Sequence, residues 1–570
     1  QMKTKLSLAV TAALLSAGLL TGCSDDNEST SAATQEEAPK NNAAPILKYI
    51  PADSPYFMAS RDSFPEQDVF DLYQRTQPIA NLESDLDELR ASLADVDDEA
   101  LRSMMTLLIA TGEELLDVET LDDVHALGLK ISPQIAIYGL GILPVMRIQL
   151  HDEDAFRETL QRILTKADIT PNEASTNGTN YWVLTPEAPV KAILAIEDQQ
   201  LVLSMVPQDA SDELLTQVLG NTLPESSIGD TGSLAELEQR HGFTPYGAGQ
   251  LSFARLLNEL SNPTHTGTQA MLEATDTEQL DLSSCQADID RITSRFPGVV
   301  MGTRENDLEN MEMNLILETD EEIVSDLRAL ITQVPGLGNT EGMASIGLGL
   351  NLPVLVQTVQ KYAQQVRETP FSCDELQELN SAWNEANLAI NNPIMMMMGP
   401  SLSGFNARIN SLTMKNGEPF ATGILTLASQ NPLTLLSTAS SFAPELGALG
   451  LEPGGEAKQV ESTMLPPDTP ELYVAMSDTA IALSAGISDS SVLQKELEAP
   501  ASERDLLLHG HMTGEFYQSM VKVMEQMPAN DASEFDIEML KQYGDVYKNM
   551  EYWFRVDDAG IEMSFSLELN

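Results

Sequence analysis

The sequence predicts an α+β fold of two homologous halves, each made of antiparallel sheets covered by helices. Two observations carry this. Four segments share one pattern, an alternating strand, a polar capping residue and then a helix, and alternating strands with one polar face suit antiparallel sheets covered on one side. The units also recur in the same order, over 46–338 and again over 342–570, with Pro335-Gly336-Leu337-Gly338 near the junction.

Composition narrows the classes. The 570 residues are 42% apolar and 21% charged, which places the body among globular proteins with a substantial core. Acidic residues outnumber basic ones 87 to 31, a net charge of -56. That balance excludes broad nucleic-acid binding, which depends on Lys and Arg against phosphate. It also argues against docking on anionic headgroups through a basic face.

At the N-terminus, Lys3 and Lys5 precede an apolar run from Leu6 to Leu20, and Gly22 and Cys23 follow. A basic region, a short apolar stretch and small residues at a cleavage point form a secretory signal over 1–22. The run is shorter than the ~20 residues of a membrane span. Its ending, Leu20-Thr21-Gly22-Cys23, resembles the lipobox of bacterial lipoproteins. The resemblance implies that Cys23 becomes the lipidated, palmitate-bearing first residue, and that Ser24 in place of Asp directs the chain to the outer membrane, with the body in the periplasm. The alternative is an ordinary signal peptide that ends in Gly-Cys. Residues 24–45 are polar and lack aromatics, so 23–45 reads as an anchor and disordered tether.

The elements follow in order. Ser54–Ser60 reads as a strand running into a helix. Ile79, Leu82, Leu86, Leu89, Leu93 and Val96 then predict an amphipathic helix within 75–116, either packed on the first sheet or free as a partner-binding arm. Met146, Ile148 and Leu150 form an alternating strand, Asp152 caps, and Phe156, Leu160, Ile163 and Leu164 make the buried helical stripe. Residues 190–220 form a strand pair turning at Glu-Asp-Gln-Gln, then a helix from Asp209 to Leu219. Gly247–Leu260 is again strand into helix, and Met311, Met313, Leu315 and Leu317 alternate before a capping box of Thr319 and Glu322.

The second half repeats the series. Ile346–Gln360 is strand into helix. Lys415-Asn416-Gly417 turns a hairpin into Gly423, Leu425 and Leu427, with Asn431 capping and Pro432 at the first helical position. Residues 471–499 match 190–220, Leu506–Met524 is strand into helix, and the hairpin at Asp557-Asp558-Ala559-Gly560 leads to the strand Ile561–Leu569. The phrase Tyr49-Ile50-Pro51-Ala52-Asp53-Ser54-Pro55-Tyr56 recurs faintly as Leu465-Pro466-Pro467-Asp468-Thr469-Pro470. With the hairpin–helix units, this resembles a group of large exported bacterial proteins of unknown function whose domains open on a Leu-Pro-Ala-Asp-Thr-Pro-like phrase. The resemblance brings no activity to carry over.

Chemistry is sparse. No Walker loop, dinucleotide fingerprint, Gly-x-Ser-x-Gly, His-Glu-x-x-His or EF-hand loop occurs, and no cofactor is implied. Cys285 and Cys373 are a disulfide candidate for an oxidising compartment, against two separate buried thiols. They hold matching places in neighbouring units, so a bridge would cross the two halves. His509 and His511 share one face of a strand and could meet one metal, against a plain polar strand face. Met395, Met396, Met397 and Met398 suit irregular core filling, an apolar ligand or partner groove, or soft copper. The surplus acids read as a solvated surface, with divalent-cation binding as the rival. The resulting expectation is an outer-membrane-anchored, non-enzymatic binding or assembly protein, tied to the membrane by its lipid. Its partner would be a lipid-like ligand, held in an apolar cleft between halves, or another envelope protein. The rivals are an envelope hydrolase, with His511 or His241 beside Ser and Asp, and a metal-handling lipoprotein.

Overall fold

Two compact units share the chain: one runs through Ser283 and includes Gly298–Met311, and the other holds Ser284–Pro297 with Glu312–Asn570. A computed structural model describes residues 44–570 other than 77–78, 94–95, 97–98, 185–188, 276–284, 305–307, 392–401, 442–443, 461–469, 488, 501–504 and 528–533. Cys23, the signal, most of the tether and Met395–Met398 lie outside the described residues. The fold is α+β.

The first unit carries β1 (Tyr56–Ala59), β2 (Ile135–Leu140), β3 (Leu143–Gln149), β4 (Asn172–Thr176), β5 (Thr179–Val183), β6 (Val190–Glu197), β7 (Gln200–Pro207), β8 (Ala248–Ser252) and β9 (Gly298–Thr303). All pair antiparallel, in the order β4-β5-β6-β7-β3-β2-β1-β8-β9. The second unit carries β10 (Asn310–Glu318, from Glu312 onward), β11 (Ala344–Gly349), β12 (Gly404–Lys415), β13 (Glu418–Ala428), β14 (Lys458–Gln459), β15 (Leu472–Met476), β16 (Ala480–Ala485), β17 (Leu506–Thr513), β18 (Tyr547–Val556) and β19 (Gly560–Leu569). Its order is β14-β15-β16-β13-β12-β11-β17-β18-β19-β10. Strand for strand, β6-β7-β3-β2-β1-β8-β9 and β15-β16-β13-β12-β11-β17-β18 are one topology written twice.

Local chemistry explains the turns and caps. Asp198 and Gln199 (φ 54° and 58°) turn β6 into β7, and Asn416 and Gly417 (φ 54° and 84°) turn β12 into β13, the positive-φ pairs that match strand twist. Asp152 accepts from the Ala155 N–H and starts the helix Glu153–Lys166; Asn431 accepts from Thr434, with Pro432 next. The Thr319–Glu322 box does not form. Thr319 N–H is committed to the Ala559 carbonyl, so the cap moves one residue on, to Asp320, which accepts from Ile323 at 2.8 Å.

The single helix expected within 75–116 is instead two, Ile79–Leu93 and Glu99–Leu115. Arg90 ties them by reaching Glu113 at 2.7 Å. Ala110 of the second helix packs with Ile163 and Ala167, and Glu114 bridges to Arg162 and Lys166. The segment is thus packed in the first unit through the helix Glu153–Lys166.

Cys285 and Cys373 are joined, with Cα atoms 4.8 Å apart. Both belong to the second unit, although they fall in different sequence halves. Asp288 reinforces the link by accepting from the Ser372 and Cys373 N–H groups at 2.7 and 3.2 Å.

Candidate functional site

Each unit buries polar side chains on one face of its sheet, in the first unit among apolar ones such as Phe57, Ala136, Val145 and Val202. The face carrying Arg147 and Tyr138 in the first unit, and His509, His511, Arg408 and Asn406 in the second, is the deeply buried one. The opposite face is lined by large apolar side chains, many part-exposed.

In the first unit, cross-strand partners set one row on this apolar face: Leu203 (β7), Met146 (β3), Ile137 (β2), Met58 (β1), Gly249 (β8) and Met301 (β9). In the second unit the topologically equivalent row is Leu483 (β16), Leu425 (β13), Ala407 (β12), Ile346 (β11), Gly510 (β17) and Tyr552 (β18). A glycine stands beside the most exposed member in both: Met58 is 42% and Ile346 43% exposed. A second row in that unit, Leu427, Phe405, Leu348, Leu508, Phe554 and Met563, runs two residues away.

Helices cover these faces only in part. In the first unit Phe156, Leu160 and Leu164 of the helix Glu153–Lys166 pack on Leu194 and Ile196, toward the β6 side. In the second, Leu435, Leu436 and Leu446 pack against Met476 and Ile481. Tyr517, in the helix Gly514–Met524, reaches the sulfurs of Met512 and Met550. Met58, Ile346 and Met563 stay open.

The buried faces hold cations on fixed partners. Arg147, fully buried, donates to the Tyr138 hydroxyl, Gln200 Oε1 and the Val218 carbonyl at 3.0, 3.1 and 3.0 Å, and lies 3.7 Å over the Tyr49 ring. Burial pushes the Tyr138 phenol up. Arg408 meets Glu496 at 2.9 Å, and Arg555 meets Glu562 at 2.6 Å. Burial pushes the Glu496 carboxyl up, against the pull of Arg408.

His509 and His511 do share one face of β17, with ring centroids 6.4 Å apart. The fold gives them different partners: His509 Nε2 sits 3.1 Å from Glu551, whereas His511 Nδ1 sits 2.6 Å from Ser345 Oγ and Nε2 3.4 Å from the Gly342 carbonyl. Burial holds His511 below the ordinary imidazole range, so it is neutral at pH 7. His511 is fully buried with both ring nitrogens engaged, while Ser345 is part-buried. His241 is buried against Phe243.

A different group gathers metal-type donors. Glu66, His125 and His151 offer ligand atoms that lie within 4.8 Å of one another. Sequence reasoning missed them because 59 and 26 residues separate three ordinary-looking positions on three elements. No spacing motif announces them. Among the described residues no helix is long and apolar enough to cross a membrane. No protein-family model, curated protein or solved structure matches this chain.

Proposed function

We propose that this is a membrane-tethered, non-enzymatic binding protein of the bacterial envelope whose ligand is apolar and lipid-like, received on the open apolar faces of its two sheets. The observation that carries the reading is the pair of equivalent rows centred on Met58 and Ile346, apolar across six strands and exposed at the centre. Large apolar area left on a sheet face is costly in water and marks a surface that something else covers. Methionine thioethers at Met58, Met146, Met301 and Met563 adapt to occupants of varied shape. The chain's surplus of carboxylates favours recognition of an acyl tail over an anionic headgroup. The Leu20-Thr21-Gly22-Cys23 ending supports the tether.

The test is titration of the full chain with a fluorescent fatty-acid analogue. Saturable uptake is expected, weakened at least tenfold in the double variant Met58→Asp/Ile346→Asp. Both positions are surface-exposed, so the fold tolerates the change. Absence of saturable uptake by the unaltered chain, or unchanged uptake in the double variant, overturns the reading.

A further inference from the structure

We propose that Glu66, His125 and His151 form a zinc site with three protein ligands and an open fourth position, clamping three elements of the first unit. The donors come from separate places: Glu66 opens the helix Glu66–Thr76, His125 lies in the last turn of the helix Leu121–Ala126, and His151 follows β3.

The local backbone holds the two rings together. Gly128 N–H donates to the His125 carbonyl, and the Gly128 carbonyl accepts from His151 N–H, both at 2.9 Å. One residue therefore fixes both histidines. Gly128 has φ +77°, and a Cβ there would lie 2.3 Å from Phe156 N and 2.4 Å from the Asp152 carbonyl oxygen, so only glycine permits the approach. The rings stack with centroids 3.8 Å apart and planes 4° from parallel. His125 Nε2 is buried and makes no hydrogen bond of proper geometry, while Glu66 Oε1 stands 3.4 Å from it. The Ile131 N–H donates to that same carboxylate oxygen at 3.2 Å, orienting it from behind.

The donor set narrows the ion to borderline divalent metals, zinc or iron(II), and the donor spacing favours zinc. Two imidazoles and one carboxylate match zinc, which takes N and O ligands at ~2.0–2.2 Å and keeps three protein ligands plus one exchangeable position at its open sites. Calcium and magnesium ask for oxygen throughout, and Cu(I) asks for sulfur. Tetrahedral coordination at those lengths sets donors about 3.3 Å apart. Glu66 and His125 already stand at 3.4 Å, and His151, being exposed, can rotate to close the third edge. Beside the cluster lies a small core of Phe70, Val118, Val124 and Leu127. A metal there binds the folded arrangement and not the open chain, so it raises stability by mass action.

The experiment is calorimetric titration of the chelator-treated full chain with zinc chloride, in millimolar magnesium to occupy weak carboxylate sites, with thermal melting alongside. One tight equivalent and a zinc-dependent rise in Tm are expected. His151→Gln, at an exposed position that leaves the fold intact, should weaken that equivalent by roughly 100-fold, and Glu66→Gln should do likewise. A tight equivalent that persists in the His151→Gln/Glu66→Gln double variant overturns the assignment, as does the lack of any tight equivalent in the unaltered chain.

Discussion

Among single residues, His265 and Glu259 make the clearest pH-dependent pair. His265 Nδ1 lies 2.9 Å from Glu259, and its Nε2 3.4 Å from Asp53. Burial disfavours the charged ring, but the two carboxylates outweigh it and hold its pKa above 6.5. Burial likewise disfavours the Glu259 carboxylate, yet hydrogen bonds from Thr264, Thr268 and His265 hold it below 4.5. The ring's contribution is complete below the ordinary histidine value and lost as pH rises through its raised folded value. The carboxylate's is complete above the ordinary Glu value and lost as pH falls through its depressed one. The pair therefore stabilises most between about pH 4.5 and 6.5. Melting curves of the chain and of His265→Gln across pH should differ most in that window and converge as pH rises past the ring's raised value. Sequence made some residue-scale facts legible and hid others. Cys285 and Cys373 were the only candidates for each other once Cys23 was set aside, and two histidines at i and i+2 must share a strand face. Ser345 beside His511, or Glu66 beside His125 and His151, depends on long-range strand register and helix placement that no local pattern encodes.

Secondary elements were read more fully. Period-two alternation located β3, β13 and β19, and Asn-Gly located the β12–β13 turn. The misses came where two local signals compete. Thr319 and Asp320 are both good caps, and the sheet's claim on the Thr319 N–H decided between them. Asp320 also accepts from Arg295 at 2.8 Å. Asp320→Ala should therefore cost about 1–2 kcal/mol in denaturant unfolding, and Asp320→Asn, which keeps the cap, distinctly less. The apolar spacing over 79–96 gives a helical period but not the reversal that follows it. The reversal appears only where Leu86 meets Gly112, so closely that a Cβ on the glycine would lie 2.5 Å from Leu86 Cδ2.

For the molecule as a whole, charge is the strongest lever. With 87 acids against 31 basic residues, self-repulsion opposes the folded state and mobile ions screen it. Raising NaCl from about 20 mM to about 1 M, as the screening length shortens from ~20 Å to ~3 Å, should raise the melting temperature. A flat or falling response would show that local ion pairs dominate. Duplication was legible from repeated patterns, but strand order was not. That β1 and β11 sit centrally, each between a hairpin and a later strand, follows from long-range pairing alone.

The way the chain threads its two units has a consequence for anyone who would dissect it. It leaves the first unit at Ser283, returns for Gly298–Met311, and leaves again. A gene fragment beginning at Ser284 contains all of the second unit, including both cysteines, and carries fourteen residues of the other as a passenger. A cut after Met311 frees the first unit with a passenger of the same length, residues 284–297 of the second, but at the cost of the disulfide. A fragment ending at Ser283 lacks β9 and bares the edge of β8, while one extended to Met311 brings along the helix Gln286–Arg295 with Cys285 stripped of its bonded partner. The two units, alike in topology, are interleaved in code: neither is a single uninterrupted stretch, and of the two cuts only the one before Ser284 keeps the disulfide whole.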